Sequence, residues 1–451
     1  MKKYRFIIPI ALVVLMVISW YTLIKDVFRV EQEYNQYLSM ARRYARDGIT
    51  KYAIENYNEA LEIKSSPEIY VEVSDYYRKQ NDAEENLSWC KNFFELYPKD
   101  YRAYDCLLRI YMDDKDYESC YDILETAEKK KINSDYIRQV SNSIMYEYEI
   151  DFNSYSDVGI YSANYCPVKS KKSWGFVDRY GNSHIPGKYP EVGYFTQSGF
   201  AAVKDNDGSV YFIDKSGDKV ISLSGKYEMF GLLVDGVFPA KISENRYIYM
   251  KENNSDKYFE DDSSKNDLYI KSSDEYEYAS TFNVGLAAVK TNGKWQIIDM
   301  NYRNIGDNYV DIKLDDKEIA VRNDRYFAAV SEGKYFMFDS KGKQVCNTEF
   351  EDARVFSGDM PTAVKVDGSW RFIDKNGKFT SDNVYDEARP YSNGLAAVCV
   401  NGKWGFVDEN EKIVIEAQFV DCRDFNEKGS CFVKTGDKWQ LLKLYRLNRE
   451  D

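Results

Sequence analysis

At 451 residues the chain has room for two or three domains. It carries 61 Lys and Arg against 74 Asp and Glu, a formal net charge of −13, and so acidic a surface repels phosphate backbones and argues against a nucleic-acid partner. Its eight cysteines form no Cys-x-x-Cys pair and no zinc spacing, so they read as small buried hydrophobes with free thiols.

The chain opens on Phe6 to Ile24, FIIPIALVVLMVISWYTLI, an apolar run about long enough at helical rise to cross the hydrocarbon layer. Lys2, Lys3 and Arg5 precede it, and Trp20 and Tyr21 stand where an interfacial aromatic belt lies. No small-x-small cleavage site follows it. Residues 1–29 therefore read as a cytoplasmic tail and an uncleaved anchor (helix about 6–24), with the remainder on the outer side of the cell membrane.

Residues 30–150 switch to a helical period broken at Gly48, Ser65-Ser66-Pro67, Asn81 and Pro98-Lys99-Asp100. Ala41, Tyr44, Gly48, Ala53, Tyr57 and Ala60 keep the spacing of Ser74, Tyr77, Asn81, Asn86, Cys90 and Phe93, and a third copy follows from Leu108. This pattern resembles the tetratricopeptide repeat, with Ser134 to Ile150 as a capping helix. The resemblance implies a concave groove lined by Arg42, Arg46, Arg78, Lys79, Arg102 and Arg109 against the acids Glu68, Asp75, Asp105 and Asp113. Arg42 and Arg46 have no acid at helical spacing among the groove positions of their own helix, so the strip is suited to an acidic peptide or a free C-terminal carboxylate.

Residues 151–164 are polar and read as a linker. Beyond them, over 165–446, an aromatic anchor recurs at Trp174, Val210, Tyr247, Trp295, Tyr335, Trp370, Trp404 and Trp439. Its clearest setting is Gly394 to Asn410, GLAAVCVNGKWGFVDEN, where Asn401-Gly402 is a two-residue hairpin turn between two apolar runs. Trp404 is expected in the core, the Gly after it permits close backbone approach, and Asp408 caps its own turn. The units resemble the WG repeat, which implies a β-rich repeat domain in bacterial surface or interaction proteins. Each unit supplies about three antiparallel strands and must stack on its neighbours, as a propeller-like ring or spiral or as an open β-solenoid. A tract at 251–277 with nine acidic and four basic residues interrupts one unit and reads as a solvated loop, and 447–451 as a tail.

The fold class is thus multidomain α+β: a transmembrane helix, a tetratricopeptide-like stack and an all-β repeat domain. No phosphate loop, dinucleotide fingerprint or zinc-protease motif occurs, and the single histidine, His184, sits in a predicted turn, so no catalytic residue, cofactor or metal site is assigned. Arg354, Arg389 and Arg423 share one register, each two residues after an acid (Asp352, Glu387, Asp421). They form salt-bridged scaffolding or, alternatively, an anion-binding strip. The function expected is non-enzymatic binding of a protein or acidic peptide at the cell envelope. The alternatives are a cell-wall glycan binder using aromatic side chains and a hydrolase with an unrecognised carboxylate site.

Overall fold

The structure, a computed structural model, describes residues 7–252, 269–272 and 274–446, which form two compact units, 1–145 and 146–451. The tails at 1–6 and 447–451 and most of the acidic tract lie outside the described residues.

In the first unit seven helices follow one another: α1 (Ile7–Arg46), α2 (Thr50–Ile63), α3 (Pro67–Gln80), α4 (Ala83–Leu96), α5 (Tyr101–Asp113), α6 (Tyr117–Lys129) and α7 (Asp135–Ser143). The backbone runs helical through the expected boundary at 29/30. The predicted anchor falls mainly on residues whose side chains lie outside the described set, and no helix among the described residues is long and apolar enough to cross a membrane. Helices stop where the chain supplies a stop. Gly48 at φ +71° follows α1, Pro67 opens α3 at a position that needs no N–H, and Asn81 closes it at φ +57°. Asp82, Asp100, Asp116 and Ser134 each cap a following helix by accepting a backbone N–H. The helices pack in sequence as hairpins, α1 on α2, α3 on α4 and α5 on α6. Ala41, Ala53 and Ala60 are fully buried, letting the backbones approach, while Tyr57 and Tyr77 fill the seam. The capping helix is shorter than expected, because the chain at 148–150 already belongs to a strand.

The second unit is a closed eight-bladed β-propeller. Its blades occupy 157–189, 191–222, 229–271, 278–309, 311–339, 352–373, 387–419 and 421–444. Six blades carry four strands; blades five and six carry three, with isolated bridges such as Tyr335–Phe350 and Trp370–Tyr385 standing for the fourth. A two-residue strand such as Glu387–Ala388 edges each sheet, followed by the repeat's hairpin and an outer strand. In blade seven the hairpin pairs Val400 with Lys403 around Asn401 (φ +54°) and Gly402 (φ +72°), as an Asn-Gly turn requires.

Closure comes from the stretch read as a linker. Tyr148–Tyr155 is a strand that pairs antiparallel with Lys438–Leu444 and completes blade eight, while Asp157–Val158 opens blade one. Val158, Cys166, Val168 and Val177 of blade one pack on Phe432, Trp439 and Leu441 of blade eight, and a comparable apolar cluster joins every other neighbouring pair. An open solenoid is therefore excluded: the strand that precedes blade one completes the sheet of blade eight, and the first and last blades share a core.

The third blade takes part of the acidic tract as structure. Tyr269–Lys271 forms its outer strand, with Tyr269 buried; residues 253–268 and 273 lie outside the described residues. His184 belongs to the strand Ser183–Tyr189 rather than to a turn, with Nε2 2.6 Å from the Lys215 carbonyl and its ring 4.5 Å from that of Tyr165.

The repeat's signature residues have separable causes. Asp408 Oδ1 accepts N–H groups from Asn410 and Lys412 at 2.9 and 3.0 Å, and Asp178, Asp214, Asp299, Asp339 and Asp374 make the same pair of bonds in their blades. The Gly after the anchor faces a bulge in the outer strand: a Cβ at Gly405 would lie 2.5 Å from the Ile415 carbonyl oxygen and 2.7 Å from Ala417 N. Since backbone atoms on both sides cannot retreat cheaply, Gly405→Ala is expected to cost about 1–3 kcal/mol. Chemical denaturation measures it, and an unchanged midpoint refutes the packing account.

Candidate functional site at the propeller axis

The two-residue strands and the segments after them are the axial side of the blades, for those of blades one, two, five, six, seven and eight meet around one cavity of about 680 Å³. Its chemistry is set by the residue that follows each two-residue strand. In blades one to four that residue is Gly159, Gly193, Gly231 or Ser280; in blades five to eight it is Lys313, Arg354, Arg389 or Arg423. Two of the three glycines are enforced by packing, since a Cβ at Gly159 would meet Pro167 at 2.6 Å and one at Gly231 would meet Pro239 at 2.5 Å. One half of the ring is therefore basic at its axis and the other is not.

Each of the four cations lies over the anchor ring of its own blade: Lys313 on Tyr335 (4.1 Å), Arg354 on Trp370 (4.8 Å), Arg389 on Trp404 (5.7 Å) and Arg423 on Trp439 (4.6 Å). Its charge then reaches into the next blade. Lys313 meets Asp352 at 2.7 Å, Arg354 meets Glu387 at 2.6 Å, and Arg389 meets Asp421 at 3.7 Å. Arg423, across the closure, donates to the Val158 carbonyl at 3.4 Å. The sequence placed these arginines in one register with the acids two residues earlier; the structure pairs Arg354 and Arg389 with the acid of the following unit and Arg423 with a backbone carbonyl there. Asp311-x-Lys313 repeats Asp352-x-Arg354, but the longer connector of blade five breaks the period that marks the three arginines.

The aromatic anchors beneath these four axial cations are the sealed ones. Trp370, Trp404 and Trp439 are 3–6% exposed and Tyr335 is 9% exposed. Trp174 and Trp295, whose blades offer Gly159 and Ser280 instead, are half-buried.

Blade five contributes something further. Between its inner strand and the next it spends residues 313–324, twelve positions where the other blades spend six to eight. This loop folds on Asp315, whose Oδ1 accepts the N–H groups of Lys317 and Ile319 at 2.9 Å and whose Oδ2 takes Arg322 at 2.6 Å. It is tied to blade four, where Thr281 N donates to the Glu318 carbonyl at 2.9 Å, and it reaches toward blade seven, where Asp316 lies 3.9 Å from Arg389. Lys317 is thereby placed on the cavity wall. Burial and the neighbouring Arg322 hold its ammonium below the usual lysine range. From blade eight comes Asp424, half-buried, with Oδ1 shielded from water and without a hydrogen-bond partner. Burial pushes its carboxyl above the usual carboxylate range, against the pull of Arg389, Arg423 and Lys317. Among the described residues no group of His, Cys, Asp and Glu is arranged to hold a metal.

The six basic groove residues of the helical unit present a different picture. Arg42 is held by Glu72 of α3 through bonds of 2.8 to 3.1 Å, and Tyr57 donates to the same carboxylate at 2.8 Å. Arg42 is thus neutralised by a neighbouring helix, which own-helix spacing could not reveal. Arg46 Nε donates to the Arg42 carbonyl, Arg78 pairs with Asp75 at 3.7 Å, and Arg102 is bound by Asp100 and Glu68. Arg109 lies 4.2 Å over the Tyr136 ring, while Asp105 accepts from Ser134 at 2.6 Å rather than meeting Arg109. Lys79 is exposed at the end of α3. A continuous basic strip is not what these helices offer.

Comparison with known proteins agrees on the repeat. The profile of a family described as a WG containing repeat matches residues 174–208, 275–295, 370–404 and 404–439, so the chain carries WG repeats. No curated protein matches the chain. Among solved structures it is similar to BamB from Moraxella catarrhalis, at 12% identity over 64% of this chain and 96% of that one, with a TM-score of 0.41. It is similar also to the C-terminal WD40 domain of Sif2, at 11% identity over 66% and 98%, TM-score 0.41. The Sgt2 TPR domain from Aspergillus fumigatus matches at 18% identity over 25% and 76%, with a TM-score of 0.21.

Proposed function

We propose that this protein is a non-enzymatic binding scaffold of the bacterial cell envelope, with a protein as its partner. The observation that carries this reading is where the repeat spends its chemistry. The best anchor aromatics are sealed in the inter-blade cores, while charged groups and unsatisfied polar atoms gather at the axial cavity. A closed ring of this kind supplies a rigid, charge-patterned end on which another chain can dock. The helical hairpins, read as tetratricopeptide-like, would add a second docking surface.

A tether at the membrane is supported by the apolar tract at 6–24 and the basic residues before it. Protease added to wall-stripped cells is then expected to shed both units; full protection of the propeller overturns the outward orientation. The glycan alternative loses its platform at Trp370, Trp404 and Trp439, which are not presented to solvent. The hydrolase alternative keeps one foothold, the carboxyl of Asp424 near that of Asp316, but three cations surround Asp424.

The test is chemical cross-linking of the full chain in intact cells, followed by purification of the captured protein and direct titration against it. Saturable binding that weakens with salt is expected. Binding of purified wall glycan with no protein partner overturns the reading.

A further inference from the structure

The axial cavity contains an unusual mismatch. Lys317 makes no ion pair or hydrogen bond through its ammonium among the described residues, and Arg389, apart from the Trp404 ring beneath it, has only two long ion pairs, to Asp421 and Asp316. Asp424 stands on the same lining, and its Oδ1, shielded from water, has no donor. Donors and an orphan acceptor thus stand beside one space with no hydrogen bond between them, and buried polar groups left in that state are costly. The ligand that would satisfy them carries a negative group with an N–H close beside it.

We propose that the axial cavity receives the free C-terminal carboxylate of a peptide tail. Its oxygens would sit between the Lys317 ammonium and the Arg389 guanidinium, and its last peptide N–H would be donated to Asp424. This deepens the protein-binding reading and rests on it. A bare polyanion fits worse, because Asp316 and Asp424 repel it and Asp424 stays unpaired. The volume, about 680 Å³, lies in the range of ligand sites and leaves room for several residues behind the carboxylate. Asp359 and Glu427, exposed on the cavity lining, favour basic side chains upstream in that tail. Capture of a C-terminal carboxylate is an established mode of peptide recognition, so the chemistry asks for nothing unusual.

The experiment uses the full chain and a pool of random octapeptides labelled at the N-terminus, prepared once with free carboxylates and once as C-terminal amides. The carboxylate pool is expected to be retained roughly ten- to a hundred-fold better, the effect of one or two charge-assisted hydrogen bonds. Lys317→Met is expected to abolish the difference with an unchanged melting curve, since its ammonium has no partner to lose. Asp424→Asn keeps the fold and lowers the preference. Equal retention of the two pools overturns the proposal, as does displacement of the peptides by inorganic phosphate at equal concentration, which marks a simple anion site. Binding of the cross-linked partner that survives Lys317→Met leaves the scaffold standing and removes this site from it.

Discussion

Replacing Trp404 by alanine is expected to destabilise the propeller by about 3–5 kcal/mol, the loss typical of a large buried aromatic. The indole is 6% exposed and sits in the cluster that joins blade seven to blade eight, with Phe406, Phe419, Cys422 and Val433. Its other face lies under the Arg389 guanidinium at 5.7 Å. Truncation therefore opens a cavity between two blades and leaves an axial cation without its platform. Urea unfolding of the variant gives the number directly. A change under about 1 kcal/mol would mean that the anchor is dispensable and that the repeats are held by the strands alone.

The second large effect concerns closure. Glu149 and Ile150 pair with Lys443 and Leu442 in the strand that completes blade eight. Two adjacent prolines here remove one backbone donor from the ladder, whichever of the two N–H groups faces it, and misfit the sheet. Glu149→Pro with Ile150→Pro is expected to cost at least about 4 kcal/mol, the size reserved for changes that break a buried network. That loss corresponds to a fall in melting temperature on the order of 10 °C. The mechanism makes a further demand: Trp439 fluorescence should shift toward that of a solvated indole, because Trp439 pairs with Tyr155 and packs across the closure. A melting temperature within a degree or two of the parent would show that the ring is closed by its apolar clusters without this strand.

Much of the propeller was legible because its instructions are local. Asn401-Gly402 sets the turn of its hairpin through two residues that accept positive φ. Asp408 and its five equivalents satisfy backbone donors two and four residues ahead, and Trp370 and Trp404 fall at alternating positions that put them in a core. Helix ends at Gly48, Pro67 and Asn81 were equally readable, since a single residue's backbone preference decides each.

What the sequence by itself determined is therefore the unit: strand, turn, strand, aromatic anchor, and the helical breaks before them. Only the tertiary structure decided how the units join. Tyr148–Tyr155 looks polar and featureless because it is an edge strand with one face in solvent, and its partner lies almost 300 residues away at Lys438–Leu444. Arg42 finds Glu72 on another helix, and Arg354 and Arg389 find acids in the next blade rather than their own. The axial cavity likewise exists only once six blades converge, and Lys317 reaches it because one connector is longer than the rest. Spacing along a chain fixes what two neighbours on one helix or strand can do. Which distant charge or edge completes them is set by the curvature and closure of the ring.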